Sequence, residues 1–179
     1  MQSPRAKADA IRTRLSKRIE TKWDENPAYY KKFSERIEES IQAYKDKRIS
    51  EAEYLERMKE ILRDFRSGAS GVTYPVNIRN NPNAQAFYGV VKEIIGEAND
   101  LTDITDKDEL MGELALKVDG IIEEHSKVDW HDNMEVHNRI AQELDDLLYD
   151  FAKEHGLKLD FDQIDKIIES VKTVALRRY

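Results

Sequence analysis

The stretch 136–156, VHNRIAQELDDLLYDFAKEHG, decides the fold. From Ile140 the apolar residues Leu144, Leu147, Leu148 and Phe151 follow at i+4, i+7, i+8 and i+11, with Val136 or His137 heading the series. That spacing lines one side of a helix, and the intervening Asp, Glu, Gln and Lys residues line the other. Gly156 then supplies the residue best suited to the left-handed backbone that closes a helix. A helix with so wide an apolar stripe needs other helices to cover it.

The rest of the chain supplies them. Downstream, a last helix is expected from about Phe161, with Ile164, Ile167, Ile168, Val171 and Ala175 facing inward. Upstream, Asp129-Trp130-His131-Asp132 forms a link, in which Asp129 or Asp132 can cap free N–H groups and Trp130 can staple the turn. Before the link, Thr105 and Asp108 open a helix whose inward residues are Leu110, Leu114, Val118, Ile121 and Ile122. Gly112 and Gly120 inside it cost about 1 kcal/mol each relative to Ala, which suggests close packing against another helix. Asn81-Pro82 starts the helix of Phe87, Val90, Val91, Ile94 and Ile95, expected to close near Gly96.

Near the start, Ile11, Leu15, Ile19 and Trp23 recur every four residues over Arg5–Trp23. Asn26-Pro27 stops that helix and begins the next, where Tyr30, Phe33, Ile37, Ile41 and Tyr44 form one stripe; Asn caps well and Pro suits the first helical position. Ser50-Glu51-Ala52-Glu53 reads as a capping box ahead of Leu55, Met58, Ile61, Leu62 and Phe65, ended by Gly68. Residues 67–81 are the longest irregular stretch. Val72-Thr73-Tyr74 and Val76-Asn77-Ile78 alternate as strands do, but Pro75 removes a ladder donor, leaving an ordered loop with room for one short edge strand. The expected fold is all-α, an irregular bundle of about seven helices in one domain over 1–179, with 5–66 and 82–179 as subdomains joined by the loop 67–81.

Composition agrees. Charged residues make up 36% of the 179, against about 25% in an ordinary domain. Only 7 Gly and 4 Pro are present, too few for the frequent turns of a sandwich or barrel. Zero cysteines exclude a disulfide scaffold, a thiolate metal site and a thiol nucleophile. No apolar run nears the roughly 18 residues of a membrane helix, and the start lacks a signal peptide's apolar core, so a cytoplasmic protein is expected. Charge is uneven: 17 Lys/Arg and 13 Asp/Glu through Arg66 leave +4, while 12 and 23 from Ser67 onward leave −11. Residues 5–22, with seven basic and two acidic side chains, are the stretch best suited to lie near DNA; Arg12, Arg14, Lys17 and Arg18 carry that expectation. The plainer alternative is a hydrated helix face.

Reactive constellations are scarce. His125, His131 and His137 lie near Asp129 and Asp132, but intervals of six do not bring ligands to one side of a helix, so no metal site is expected. Asp145-Asp146 and Glu123-Glu124 point about 100° apart and cannot share a proton without partners from elsewhere. Neither GxxxxGK[ST], GxGxxG, G-x-S-x-G nor HExxH occurs. No catalytic residue is expected in this chain. Candidate partner contacts are Asp129, Trp130 and Arg139 around the link, and Tyr74 and Arg79 in the long loop; local turn bonding is the competing use for each.

The run Ile122–Leu148, IEEHSKVDWHDNMEVHNRIAQELDDLL, resembles the C-terminal helical region of the restriction (motor) subunit of type I restriction-modification enzymes. The resemblance rests on Val128-Asp129-Trp130, Arg139 and Leu147-Leu148. It extends to Asn26-Pro27-Ala28-Tyr29-Tyr30, Phe33-Ser34-Glu35-Arg36-Ile37-Glu38 and Lys47-Arg48-Ile49-Ser50, and so to roughly residues 20–179. It implies an isolated terminal domain whose parent subunit cleaves and translocates DNA with ATP and magnesium. The nuclease and ATP motifs of that parent are not in this sequence, so the chain itself is expected to need no cofactor. By the same resemblance its partners are the methyltransferase (modification) subunits and the motor and nuclease domains of its own subunit, with DNA reached through the parent complex. A free-standing helical adaptor or regulatory module is the alternative.

Overall fold

The structure, a computed structural model, describes residues 1–103 and 106–179. Among these lie seven α-helices: α1 Pro4–Lys22, α2 Pro27–Lys45, α3 Glu51–Ser67, α4 Pro82–Ala98, α5 Lys107–His125, α6 Met134–His155 and α7 Phe161–Arg178. Short 3-10 turns occupy Trp23–Glu25, Val76–Ile78 and Leu101–Asp103. The protein is all-α. The chain divides into two units, Met1–Trp23 with Pro27–Thr73, and Asp24–Asn26 with Tyr74–Tyr179.

In the first unit α1, α2 and α3 each pack on the other two. Their apolar stripes close over Ala8, Leu15, Ile19, Phe33, Ile37, Ile41, Leu55, Met58 and Ile61. Tyr54 joins this core at 2% exposure, stacked on Tyr44 with its hydroxyl donating to Asp9 at 3.1 Å. The stripe expected on this helix omits it, although Tyr54, Met58, Ile61 and Phe65 follow the four-three-four spacing of one face. Ser50 caps α3 by accepting from the Glu53 N–H at 3.1 Å, and Gly68 ends it at φ 79°. Of the expected capping box only this Ser50 half forms among the described residues. The full reciprocal box belongs to α7, between Asp160 and Gln163.

In the second unit α4 packs on α5 and α7, and α6 packs on the same two, so four helices close a ring around one core. Asn81 caps α4 by accepting from the Ala84 N–H, as the Asn-Pro pair implies. The helix closes at Ala98, two residues beyond Gly96, where the Asn99 amide donates to the α4 carbonyl of Ile95 and to the carbonyl of Lys158 before α7, both at 2.9 Å. Thr105, expected to open the next helix, lies outside the described residues; α5 begins at Lys107. On α5 the inward positions are Met111, Leu114, Ala115, Val118 and Ile122, leaving Leu110 and Ile121 half-buried.

The segment after Thr73 forms no edge strand. Pro75 and the 3-10 turn Val76–Ile78 lie instead on α5, with Ile78 fully buried and the Asn77 amide donating to the Glu109 carbonyl at 3.0 Å. Gly112 makes this approach possible: a Cβ there would overlap the Asn77 Oδ1 and meet Pro75 Cγ at 2.9 Å. The close partner of Gly112 is therefore a loop and not a helix. Gly120 has nothing within 4 Å of an added Cβ, so the packing expected there is absent.

Candidate functional site

Two surfaces hold the residues singled out from the sequence. The first is the link between α5 and α6. After His125 the chain turns twice, with Trp130 N–H donating to the Lys127 carbonyl at 3.2 Å and Asn133 N–H to the Trp130 carbonyl at 3.1 Å. Asp129 sits at φ 62°, in the left-handed region that Asp enters more readily than most residues. Its side chain is not the cap of α6. Asn133 is, accepting from the Glu135 and Val136 N–H groups, because only a residue directly before the first turn can reach them.

Trp130 is 5% exposed, part of the second unit's core and in ring contact with His131 and His137. Its indole Nε1 has no hydrogen-bond partner among the described residues. His137, not Val136, heads the inward series of α6, and its Nε2 lies 3.1 Å from the Trp130 carbonyl. With Trp130 inside, the link turns Val128 and Met134 outward, at 91% and 65% exposure. Arg139, exposed on α6, pairs with Glu135 at 3.3 Å.

The three histidines go to three partners. His137 meets Trp130, the Nε2 of His131 lies 3.3 Å from the Tyr179 carbonyl, and that of His125 lies 2.8 Å from Glu143. The last contact ties the end of α5 to α6. Ligand atoms of Glu124, His125 and Glu143 gather within 4.8 Å of one another. Sequence spacing does not reveal this trio, since Glu143 belongs to another helix and only the α5–α6 packing brings it close.

Tyr74 and Arg79 lie apart from the link, with no hydrogen bond, ion pair or ring contact to it among the described residues. The Tyr74 hydroxyl accepts from Asn26 at 3.5 Å, and its ring meets Tyr88 edge-on. Burial pushes its pKa up. Arg79 is exposed, and its carbonyl accepts from Gln85 at 2.8 Å.

The second surface lies between α1 and α3. Three adjoining hollows share lining residues: Lys59, Arg63 and Arg66 with Leu62; Arg14, Lys17 and Arg18 with Leu15; and Lys7 with Ile11 and Leu55. No carboxylate lines any of them. Of the four cations singled out in residues 5–22, Arg14, Lys17 and Arg18 lie here, whereas Arg12 pairs with Asp9 at 4.0 Å. Sequence reasoning missed the α3 half of the groove. Lys59, Arg63 and Arg66, spaced four and three apart, were the available signal.

Fold and surfaces together define an all-helical module with two distinct solvent-facing features, one a turn braced by a buried tryptophan and the other a cationic groove. The family model described as "Type I restriction enzyme HindI endonuclease subunit-like, C-terminal" matches residues 1–175, and the chain belongs to that family. The match takes in α1, which lies ahead of the resemblance read from residue 20 onward. No curated protein and no solved structure gave a match. Among the described residues no helix is long and apolar enough to cross a membrane.

Proposed function

We propose that this chain is a non-catalytic docking domain, through which the restriction subunit is held against the methyltransferase subunits in the cytoplasm. The supporting observation is the α5–α6 link. Val128 on the turn and Met134 at the first position of α6 stand in solvent, and the backbone between them is fastened by Trp130, His137 and Asn133. Exposed apolar side chains on a pre-ordered turn lose little further entropy on binding, so their burial converts efficiently into affinity. Asp129 and Arg139 supply charge beside them, and Tyr74 with Arg79 a separate contact. In this reading ATP and magnesium serve the motor and nuclease domains of the same subunit, and DNA is cut and moved there.

Mixing the 179-residue chain with the methyltransferase complex tests the proposal. Co-elution is expected, as is its loss in a Val128→Asp, Met134→Asp double variant whose melting temperature is unchanged. Co-elution indifferent to both substitutions would remove the link from the interface, and absence of co-elution by the unaltered chain would remove the docking role.

A further inference from the structure

We infer that the groove between α1 and α3 is a sequence-independent binding surface for the phosphate backbone of duplex DNA. Its cations come from two helices, Arg14, Lys17 and Arg18 on α1 and Lys59, Arg63 and Arg66 on α3, and all six side chains are exposed. Arg14, Lys17, Arg18, Arg63 and Arg66 have no ion-pair partner among the described residues; Lys59 shares Glu56 at 3.2 Å. Like charges are thus gathered and left largely unneutralised, which costs self-repulsion unless an anion relieves it. On α3 the three cations span about 10 Å of helix axis, and each strand of duplex DNA carries one charge per about 3.4 Å, so one phosphate run can engage them all.

The chemistry of the groove selects among polyanions. An acidic amphipathic helix would need apolar anchors, but the large exposed apolar side chains from Val76 onward all belong to the second unit, and in the first only Met1 qualifies. Leu15 and Leu55 at the groove floor are 1% and 9% exposed, and Leu62 and Ile11 are half-buried, so the apolar strip between the cations is narrow. Single-stranded nucleic acid would call for aromatic stacking platforms, and no aromatic residue lines the hollows. Base readout in a groove of the duplex relies on Asn, Gln or Arg carried on an inserted element; the cations here line a recess instead, which fits backbone contact. Membership of a restriction-enzyme family favours duplex DNA over other polyanions as the occupant.

Fluorescence anisotropy of the 179-residue chain on two unrelated duplexes of about 20 base pairs, between about 50 and 200 mM salt, tests this inference. Equal affinity for both duplexes is expected, together with a steep log-affinity against log-salt slope. Replacing Arg14, Arg18, Arg63 and Arg66 by Ala should reduce that slope by about 3–4, at about 0.9 for each phosphate no longer neutralised. Replacing the same four by Lys should keep it. A Lys17→Gln, Lys59→Gln pair should lower it by about 2 and gives the reading if the quadruple variant does not hold its fold. Neutralising Lys117, Lys153, Lys158 and Lys166 in the second unit should leave it unaltered. An unchanged slope in the folded groove variants, a preference between the two duplexes, or tighter binding of poly-L-glutamate than of duplex would overturn the inference. Docking through Val128 and Met134 is untouched by these substitutions, so either reading can fail alone.

Discussion

Asn77 lies against Gly112, and the absence of a side chain on that one α5 residue is what allows the 3-10 turn to bury Ile78. The two mid-helix glycines of α5 therefore have opposite roles. Gly112→Ala should destabilise the protein, because overpacking costs about 1–3 kcal/mol and outweighs the roughly 1 kcal/mol gained in helix propensity. Gly120→Ala meets only open space and should stabilise by about 1 kcal/mol. Urea midpoints of the two variants, moving in opposite directions from the parent, are the check; a shared direction would contradict the packing described.

The Trp130 ring fills the corner where the α5–α6 link joins the core. Trp130→Ala should cost about 3–5 kcal/mol. Trp130→Phe should cost clearly less, since among the described residues Nε1 makes no hydrogen bond whose removal would add to the loss. Chemical denaturation of the pair measures this, and equal losses would contradict the view that ring packing is what Trp130 contributes.

Asp119 is 7% exposed and accepts from the Asn81 amide at 3.1 Å and from the Tyr179 hydroxyl. It joins α5, the cap of α4 and the end of α7. Asp119→Ala strands both donors and should cost about 1–3 kcal/mol. Tyr179→Phe should cost less, and the two changes together less than their sum, because they remove one shared interaction. Additivity in a double-mutant cycle would show that Asp119 and Tyr179 are not coupled.

The Tyr54 hydroxyl, buried in the first unit and donating to Asp9, has its pKa pushed up from 10.0 to about 12, by burial first and the Asp9 bond second. A group whose folded pKa lies above its unfolded value stabilises fully below the unfolded value, and the benefit fades as pH climbs toward the folded one. Melting temperature should therefore fall between about pH 10 and 12. Tyr54→Phe should flatten that fall while costing about 0.5–1.5 kcal/mol at neutral pH through removal of the hydrogen bond. Because burial similarly raises Tyr74, Tyr88 and Tyr179, the slope should shrink and not vanish.

Much of the fold is legible along the chain. Every buried position expected on α7, from Ile164 to Ala175, is buried, and Ser50, Asn81, Gly68 and Gly156 act at the helix ends where their chemistry places them. Those features depend on residues within one or two turns of each other. The misreadings have the opposite character. The rotation of the α5 stripe toward Met111 and Ala115 depends on which neighbours α5 meets, and the loop-filled space at Gly112 on where Pro75 and Asn77 fall. In the link, sequence leaves Trp130 two roles, staple or anchor. Burial supports the staple and leaves Val128 and Met134 as the exposed apolar side chains.

By itself, then, the order of residues determined that the chain is helical, where most of the helices begin or end, and which family it resembles, because periodicity and capping are local properties of the backbone. Tertiary structure alone decided that Arg14 and Arg66 share a groove, that Glu143 reaches His125, and that Gly112 accommodates Asn77. Each of those pairs is far apart in sequence, and nothing in the spacing of one helix sets the angle at which another will cross it.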